Sequence, residues 1–248
     1  MARVDRLSAL IARFSLSVAP APAAAANLGM QCDAAGGGMQ VALTPRAVGA
    51  LGLGEGALTA RLDWGGAANP LLAALPERVE MRVAPDSDTA LLLRVFAAEA
   101  HGQRCGAGSA LDRLGEVIVI RLLRAGIEGG APGPGLLAGL ADPRLSRAIT
   151  AMHEHPGRGW SVADLAAEAG LSPSRFAEVF AAVVGETPLA YLRGWRMTLA
   201  RQDLADGARV EAVARRYGYA SGEALTRAFR KAFGTSPREL RHHEKLIA

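Results

Sequence analysis

The chain has 248 residues, half of them apolar and about a fifth charged, enough to bury a core and to exclude a disordered or low-complexity polymer. No run approaches the roughly eighteen apolar residues of a membrane span, and the two cysteines, Cys32 and Cys105, are too few for a disulfide scaffold and lack metal-ligand spacing. Net charge is +4, and residues 141 to 248 hold 16 Lys and Arg against 12 Asp and Glu, so the whole excess lies in the C-terminal part. That balance suits a polyanionic partner, and a solvated basic face would give it too.

In chain order, Leu7, Leu10, Ile11 and Phe14 fall at helical spacing, predicting an amphipathic N-terminal helix followed by a Pro-Ala linker. Arg13 interrupts the apolar stretch and leaves it short for a secretory signal. With few cysteines, the expected compartment is the reducing cytoplasm. From about Gly29 to Gly66, glycines punctuate short pieces such as MQVAL and ALTARLDW, which read as strands joined by turns. Pro70 opens a short helical piece, VEMRV reads as a strand, and Asp86 to about Gln103 has helical periodicity with an acidic start. A second long helix follows Gly108. Its apolar set Leu111, Leu114, Val117, Val119, Ile120 and Leu123 covers more than one stripe, so it needs burial on more than one side, within its domain or against a second copy.

The run GIEGGAPGPG, residues 126–135, is the densest in Gly and Pro and marks a boundary. The expected division is a small β-rich domain over 1–127, a linker over 128–142 and an all-helical domain over 143–248, hence an α+β chain. A helix is expected from near Pro143 to Pro156. Beyond it, Val162, Leu165 and Ala166 form the inner face of a helix, Gly170 supplies a tight turn, Ser172 can cap a second helix, and Phe176, Val179 and Phe180 give that helix a buried face. About 48 residues on the pattern recurs, with Val210, Val213 and Ala214 inside, Gly218 in the turn, Ser221 at the cap, and Leu225 and Phe229 buried. Two helix-turn-helix units are thus predicted, at about 161–184 and 210–234, joined by a helix entered through Pro188 whose Leu189, Leu192, Trp195, Met197 and Leu199 can pack against both.

Over residues 143–241 this constellation resembles the AraC/XylS family of transcription regulators. The matching residues are Tyr191, Arg196, Met197 and Ala200, then Ala214, Gly218, Tyr219 and Ser221, the run Thr226 to Lys231, and Phe233, Gly234, Ser236, Pro237 and Arg241. Leu225, Tyr219 and Glu239-Leu240 depart from the common pattern but keep apolar bulk. The resemblance implies that the second helix of each unit enters a major groove of double-stranded DNA, about one turn apart. The family's contact positions fall on Ser172, Ser174, Arg175 and Glu178, and on Gly222, Glu223, Thr226, Arg227, Arg230 and Lys231. Arg227 is the first candidate for a base, since guanidinium can bond guanine O6 and N7 together, while Thr226, Arg230 and Lys231 suit phosphate.

Residues 60–127 resemble the N-terminal domain of a cupin-containing subgroup of that family, whose two helices sit at the interface of a homodimer. About sixty residues precede this segment, so a shortened barrel is expected. The resemblance implies modulation by a small effector or by thiol redox state, for which Cys32 and Cys105 are candidates, Arg104 being placed to favour the thiolate. It also implies RNA polymerase as a partner if the protein activates. The alternative is a dimerisation or protein-docking module without a ligand. No metal or cofactor is expected, since His101 is the only histidine before residue 150, and His153, His155, His242 and His243 are expected at helix ends in contact with solvent or phosphate. The first 140 residues contain no phosphate loop, nucleophile elbow or clustered carboxylates, so an enzyme is not expected.

Overall fold

The computed structural model describes residues 11, 15–32, 38–64, 69, 75–102, 104–129 and 133–240. They divide into two compact units, the first within 14–132 and the second within 1–13 and 133–248.

In the first unit, strands β1 (Leu16–Pro20), β2 (Leu28–Cys32), β3 (Met39–Leu43), β4 (Leu58–Trp64) and β5 (Val79–Val83) form one sheet in the order β1-β4-β2-β3-β5, every pair antiparallel. The register aligns the apolar residues on one face. Val18 pairs with Leu62, Leu28 with Ala60 and Leu43, and Val41 with Met81. On the opposite face of the central strands, Gly29 lies opposite Ala42, and Leu51 and Leu53 of the following loop cover them. A Cβ at Gly29 would stand 2.5 Å from the Leu53 side chain, so glycine is what allows that loop to close.

Two helices complete this unit, α1 (Asp88–Gly102) and α2 (Ala107–Glu128), packed on each other. Helix α2 touches both edge strands, β1 and β5. Its Asp112 Oδ1 accepts from the Val18 amide at 2.7 Å, satisfying an outward-facing donor of an edge strand. Gly115 sits so close to β1 that a Cβ there would lie 2.5 Å from Val18 Cγ2.

The expected Pro-Ala linker proves to contain β1 and a short 3-10 turn at Ala23–Ala25. Small residues and prolines conceal the strand, which is fixed by β4 and α2 rather than by propensity. Of the predicted N-terminal stripe only Ile11 is described, and it is helical and buried; Leu7, Leu10 and Phe14 lie outside the described residues, as does most of the helical piece after Pro70. Helix α2 is longer than its buried stripe, and Val117 remains exposed, as do Leu91 and Val95 of α1.

The second unit is helical: α3 (Leu136–Ala141), α4 (Leu145–Glu154), α5 (Val162–Ala169), α6 (Pro173–Val184), α7 (Pro188–Ala205), α8 (Val210–Arg216) and α9 (Gly222–Phe233). Part of the segment expected as linker, residues 128–142, is therefore α3, which buries Leu136, Leu137 and Leu140 and packs on α4 and α6. Gly139 permits the contact, because a Cβ would lie 2.6 Å from Ile149 and 2.9 Å from Val184. Among the described residues no helix is long and apolar enough to cross a membrane.

Replacing Gly115 by valine should destabilise the first unit by about 1 to 3 kcal/mol through overpacking against β1. Urea unfolding followed by circular dichroism should show a lowered midpoint, and an unchanged midpoint would place Val18 elsewhere.

Candidate nucleic-acid interface

From turn to second helix the two helix-turn-helix units are built alike down to single hydrogen bonds, while only the first unit opens on a side-chain cap. In the first, Ser161 and Asp164 form a reciprocal cap on α5, with the Ser161 amide donating to Asp164 at 2.9 Å and the Asp164 amide to Ser161 Oγ at 3.1 Å. The Ser161 hydroxyl, donating to the Asp164 carboxyl at 2.6 Å, and then the Ser161 amide hold that carboxyl below its ordinary pKa. Helix α5 stops at Gly170, whose φ of 68° is the left-handed conformation that glycine takes without strain. The Leu171 amide then returns to the Ala166 carbonyl at 2.9 Å, and Ser172 caps α6 by accepting from the Arg175 amide. In the second, Gly218 has φ 75°, the Tyr219 amide returns to the Ala214 carbonyl at 2.8 Å, and Ser221 caps α9 by accepting from the Ala224 amide at 3.1 Å. Ala166 and Ala214 are buried, as are Phe180 and Phe229. Each alignment read from the sequence thus has a structural equivalent.

Helix α7 serves both units. Toward its start, Tyr191 meets Phe180 of α6 edge-on at 5.8 Å between ring centres, and Trp195 packs on His153 at 4.5 Å. Toward its end, Asp203 accepts from Arg216 at 2.6 Å and from the Tyr217 hydroxyl at 2.7 Å, and the Arg201 guanidinium lies 5.3 Å above the Phe233 ring.

On α6 the face left to solvent carries Ser174, Arg175 and Glu178, with Ser172 exposed at its cap. Arg175 and Glu178 form an ion pair at 2.9 Å, so the only cation of that helix is neutralised by its neighbour one turn on. The corresponding face of α9 carries Glu223, Arg227, Arg230 and Lys231, all exposed. Among the described residues none of these three cations is held in an ion pair. Gly222 and Thr226 are half-buried, and the Thr226 hydroxyl already donates to the Gly222 carbonyl at 2.8 Å. Cys32 ends β2 and Cys105 precedes α2; both thiols are free and exposed.

His153 departs from expectation. It is not at a wet helix end but is 1% exposed, sharing a 2.5 Å hydrogen bond with the Tyr191 hydroxyl beneath Trp195. Burial pushes its pKa down to about 3 and pushes that of Tyr191 well up. His155 is exposed, as expected, and its carbonyl accepts from the Trp160 indole at 3.0 Å, while His242 and His243 lie outside the described residues.

Two arginines inside the scaffold escaped a functional reading from sequence. Arg147 of α4 donates to the Ala169 carbonyl at 2.8 Å and closes the first turn. Arg196 of α7 stands beside the second turn, its Nη2 3.6 Å from where a Gly218 Cβ would be. They are separated by nearly the repeat period, so carrying the alignment back into the preceding helices would have found them.

A sheet domain followed by paired, capped helix-turn-helix units on a shared helix defines a two-domain helix-turn-helix protein. The chain matches the helix-turn-helix domain family over residues 165–243 and the cupin family over residues 12–128. It is 42% identical over 135 residues to a putative AraC-like transcription regulator of Streptomyces lividans, covering 53% of this chain and 44% of that protein. To the HTH-type transcriptional regulator AlkR of Acinetobacter baylyi it is 34% identical over 178 residues, covering 70% of this chain and 58% of that one. The chain thus combines a cupin N-terminal domain with a helix-turn-helix domain similar to those of AraC-like transcription regulators. It spans about half the length of these curated relatives. Among solved structures, the DNA-binding domain of AdpA in complex with a target DNA aligns at 31% identity and TM-score 0.40, covering 43% of this chain and 96% of that one.

Since His153 is neutral when folded and ordinary when unfolded, the unfolded chain binds the extra proton between about pH 6.5 and about 3. Stability of the second unit is full above that window and should fall, by up to about 1.4 kcal/mol per pH unit, as pH drops through it. His153→Phe should flatten that limb in chemical unfolding followed at several pH values; an unflattened limb would assign the acid sensitivity to other groups.

Proposed function

We propose that the chain is a sequence-specific DNA-binding transcription regulator that sets α6 and α9 in successive major-groove segments of one duplex. The observation that carries this reading is the duplication of turn, cap and return hydrogen bond at Gly170 and Gly218, which leaves two second helices with their polar faces free. Arg227 reads a base, best a guanine, while Arg230 and Lys231 hold phosphate. Thr226 reaches phosphate only if its hydroxyl leaves the Gly222 carbonyl. Ser172, Ser174, Arg175 and Glu178 face the other groove, and Gly222 and Glu223 lie where α9 begins.

The two readers are unequal in charge. Helix α9 brings three cations against Glu223, whereas α6 brings Arg175 already paired with Glu178. Affinity therefore comes chiefly from α9, and α6 selects by shape and short polar contacts. The protein acts by binding rather than by catalysis, in the cytoplasm, with RNA polymerase as its further partner where it activates.

The N-terminal domain pairs two copies and modulates binding, through a small effector or the thiols of Cys32 and Cys105. The filled inner face of its sheet, with Trp64, Leu28 and Leu43 all fully buried, favours the dimerisation role over a deep ligand cavity. Leu91, Val95 and Val117 are the apolar residues its helices leave exposed for that contact.

The full chain should be tested on duplexes selected from random sequence at stated salt. Arg227→Ala should weaken the preferred duplex by about 1 to 3 kcal/mol and leave bulk DNA affinity much less changed. Equal loss on both would make Arg227 a phosphate contact. Glu178→Gln should tighten binding about threefold by freeing Arg175, and should steepen the salt dependence by roughly one counterion. Weaker binding would show that Glu178 itself accepts from a base.

A further inference from the structure

We infer that Arg196 is the positioning residue that locks the two helix-turn-helix units to each other, by clamping the 155–160 loop of the first against the turn of the second. Its Nε donates to the Pro156 carbonyl at 2.6 Å and its Nη2 to the Arg158 carbonyl at 2.7 Å. The loop so held touches the second unit backbone to backbone. A Cβ at Gly157 would run into the Arg216 carbonyl, and one at Gly218 would lie 2.7 Å from the Gly157 carbonyl. The loop is braced within itself, the Trp160 indole donating to the His155 carbonyl and the Arg158 guanidinium lying 3.9 Å above the Trp160 ring, and it runs straight into Ser161, the cap of α5.

Comparison with Arg147 shows what is particular about this contact. Both arginines come from the helix before a helix-turn-helix pair and both lie against its turn glycine. Arg147 spends its donor inside its own unit, on the Ala169 carbonyl. Arg196 instead turns both donor edges away from its own unit's turn and onto carbonyls of the other. A planar guanidinium can hold two carbonyls at a fixed angle, which a lysine ammonium cannot reproduce. The guanidinium therefore sits beside a direct backbone contact between Gly157 and the turn at Gly218, and holds the loop in that contact. The helix α7 alone could bend or twist between its two ends; the clamp gives the pair a second, independent point of attachment.

The consequence is mutual order of α6 and α9 in the free protein, and hence discrimination of half-site spacing on DNA. The first can be tested without DNA, while the second rests on the DNA-binding reading. In the full chain with Cys32→Ser and Cys105→Ser, spin labels at Ser174→Cys and Glu223→Cys report the distance between the two helices. Wild type at position 196 should give one narrow distribution, and Arg196→Ala a broad one with helical circular dichroism retained. Arg196→Lys should not restore the narrow distribution, and Gly157→Ala, which pushes the loop off the second unit with Arg196 intact, should broaden it as well. If Arg196→Ala loses helicity, the other two variants decide. Narrow distributions in the variants that fold overturn the clamp.

On selected DNA, moving one half-site by about five base pairs, half a turn, should cost the unmodified chain about tenfold or more and the folded Arg196 variants under about twofold. Identical spacing penalties in all proteins overturn the inference while leaving the DNA-binding reading intact. No selected sequence for the unmodified chain would sink that reading, and the distance measurement would still judge the clamp.

Discussion

The second unit depends on the burial of α7 between two helix pairs. Tyr191, Leu192, Trp195, Leu199 and Leu204 are all buried, and α7 contacts α6, α8 and α9. Aromatic pairs of the kind formed by Tyr191 with Phe180 add about 0.5 to 1.5 kcal/mol each beyond the area they bury. His153 belongs to the same cluster. A polar ring in that position is tolerated because it is neutral and shares its hydrogen bond with Tyr191, which orients both rings under Trp195. The ion pair of Asp203 with Arg216 is exposed on one side and contributes less than the packing around it.

Apart from Ser172, which both caps α6 and lies on its exposed end, structural duties in this unit fall on residues other than those offered to a ligand. Ser161, Ser172 and Ser221 cap the helices, Gly170 and Gly218 turn the chain, Arg147 seals the first turn and Arg196 holds the 155–160 loop. Among the described residues Arg227, Arg230 and Lys231 are held in no ion pair, and their charge is available to an incoming phosphate backbone. The sheet unit solves a different problem, that of its edges. Helix α2 occupies the outward amide of β1 through Asp112 and lies against it through Gly115, so that edge is covered rather than left as a template for another strand.

How much of this was legible in the sequence follows from how local each cause is. The helix-turn-helix units were legible because turn, cap and inner face are written within some 25 residues each and then written again, so Gly170, Gly218, Ser172 and Ser221 could be placed from residue order alone. The exposed faces of α6 and α9 were legible as residue types, but the pairing of Arg175 with Glu178 and the return of the Thr226 hydroxyl to Gly222 depend on rotamers. β1 was not legible, since LSVAP beside a Pro-Ala run gains its strand state from β4 and α2, which lie far along the chain. His153 misled for the same reason: the run HEHP reads as a wet helix end, and its burial is decided by Tyr191 and Trp195 some forty residues later. α3 was hidden because short apolar pieces next to Gly and Pro look like linker until Ile149 and Val184 close over them.

The central claim is that two helices of this chain read one duplex together. Hydroxyl-radical footprinting of the full chain on a selected duplex tests it most directly. Two protected patches about one helical turn apart, on the same side of the DNA, are the result this account requires. A single patch, or two patches half a turn out of phase, would contradict it.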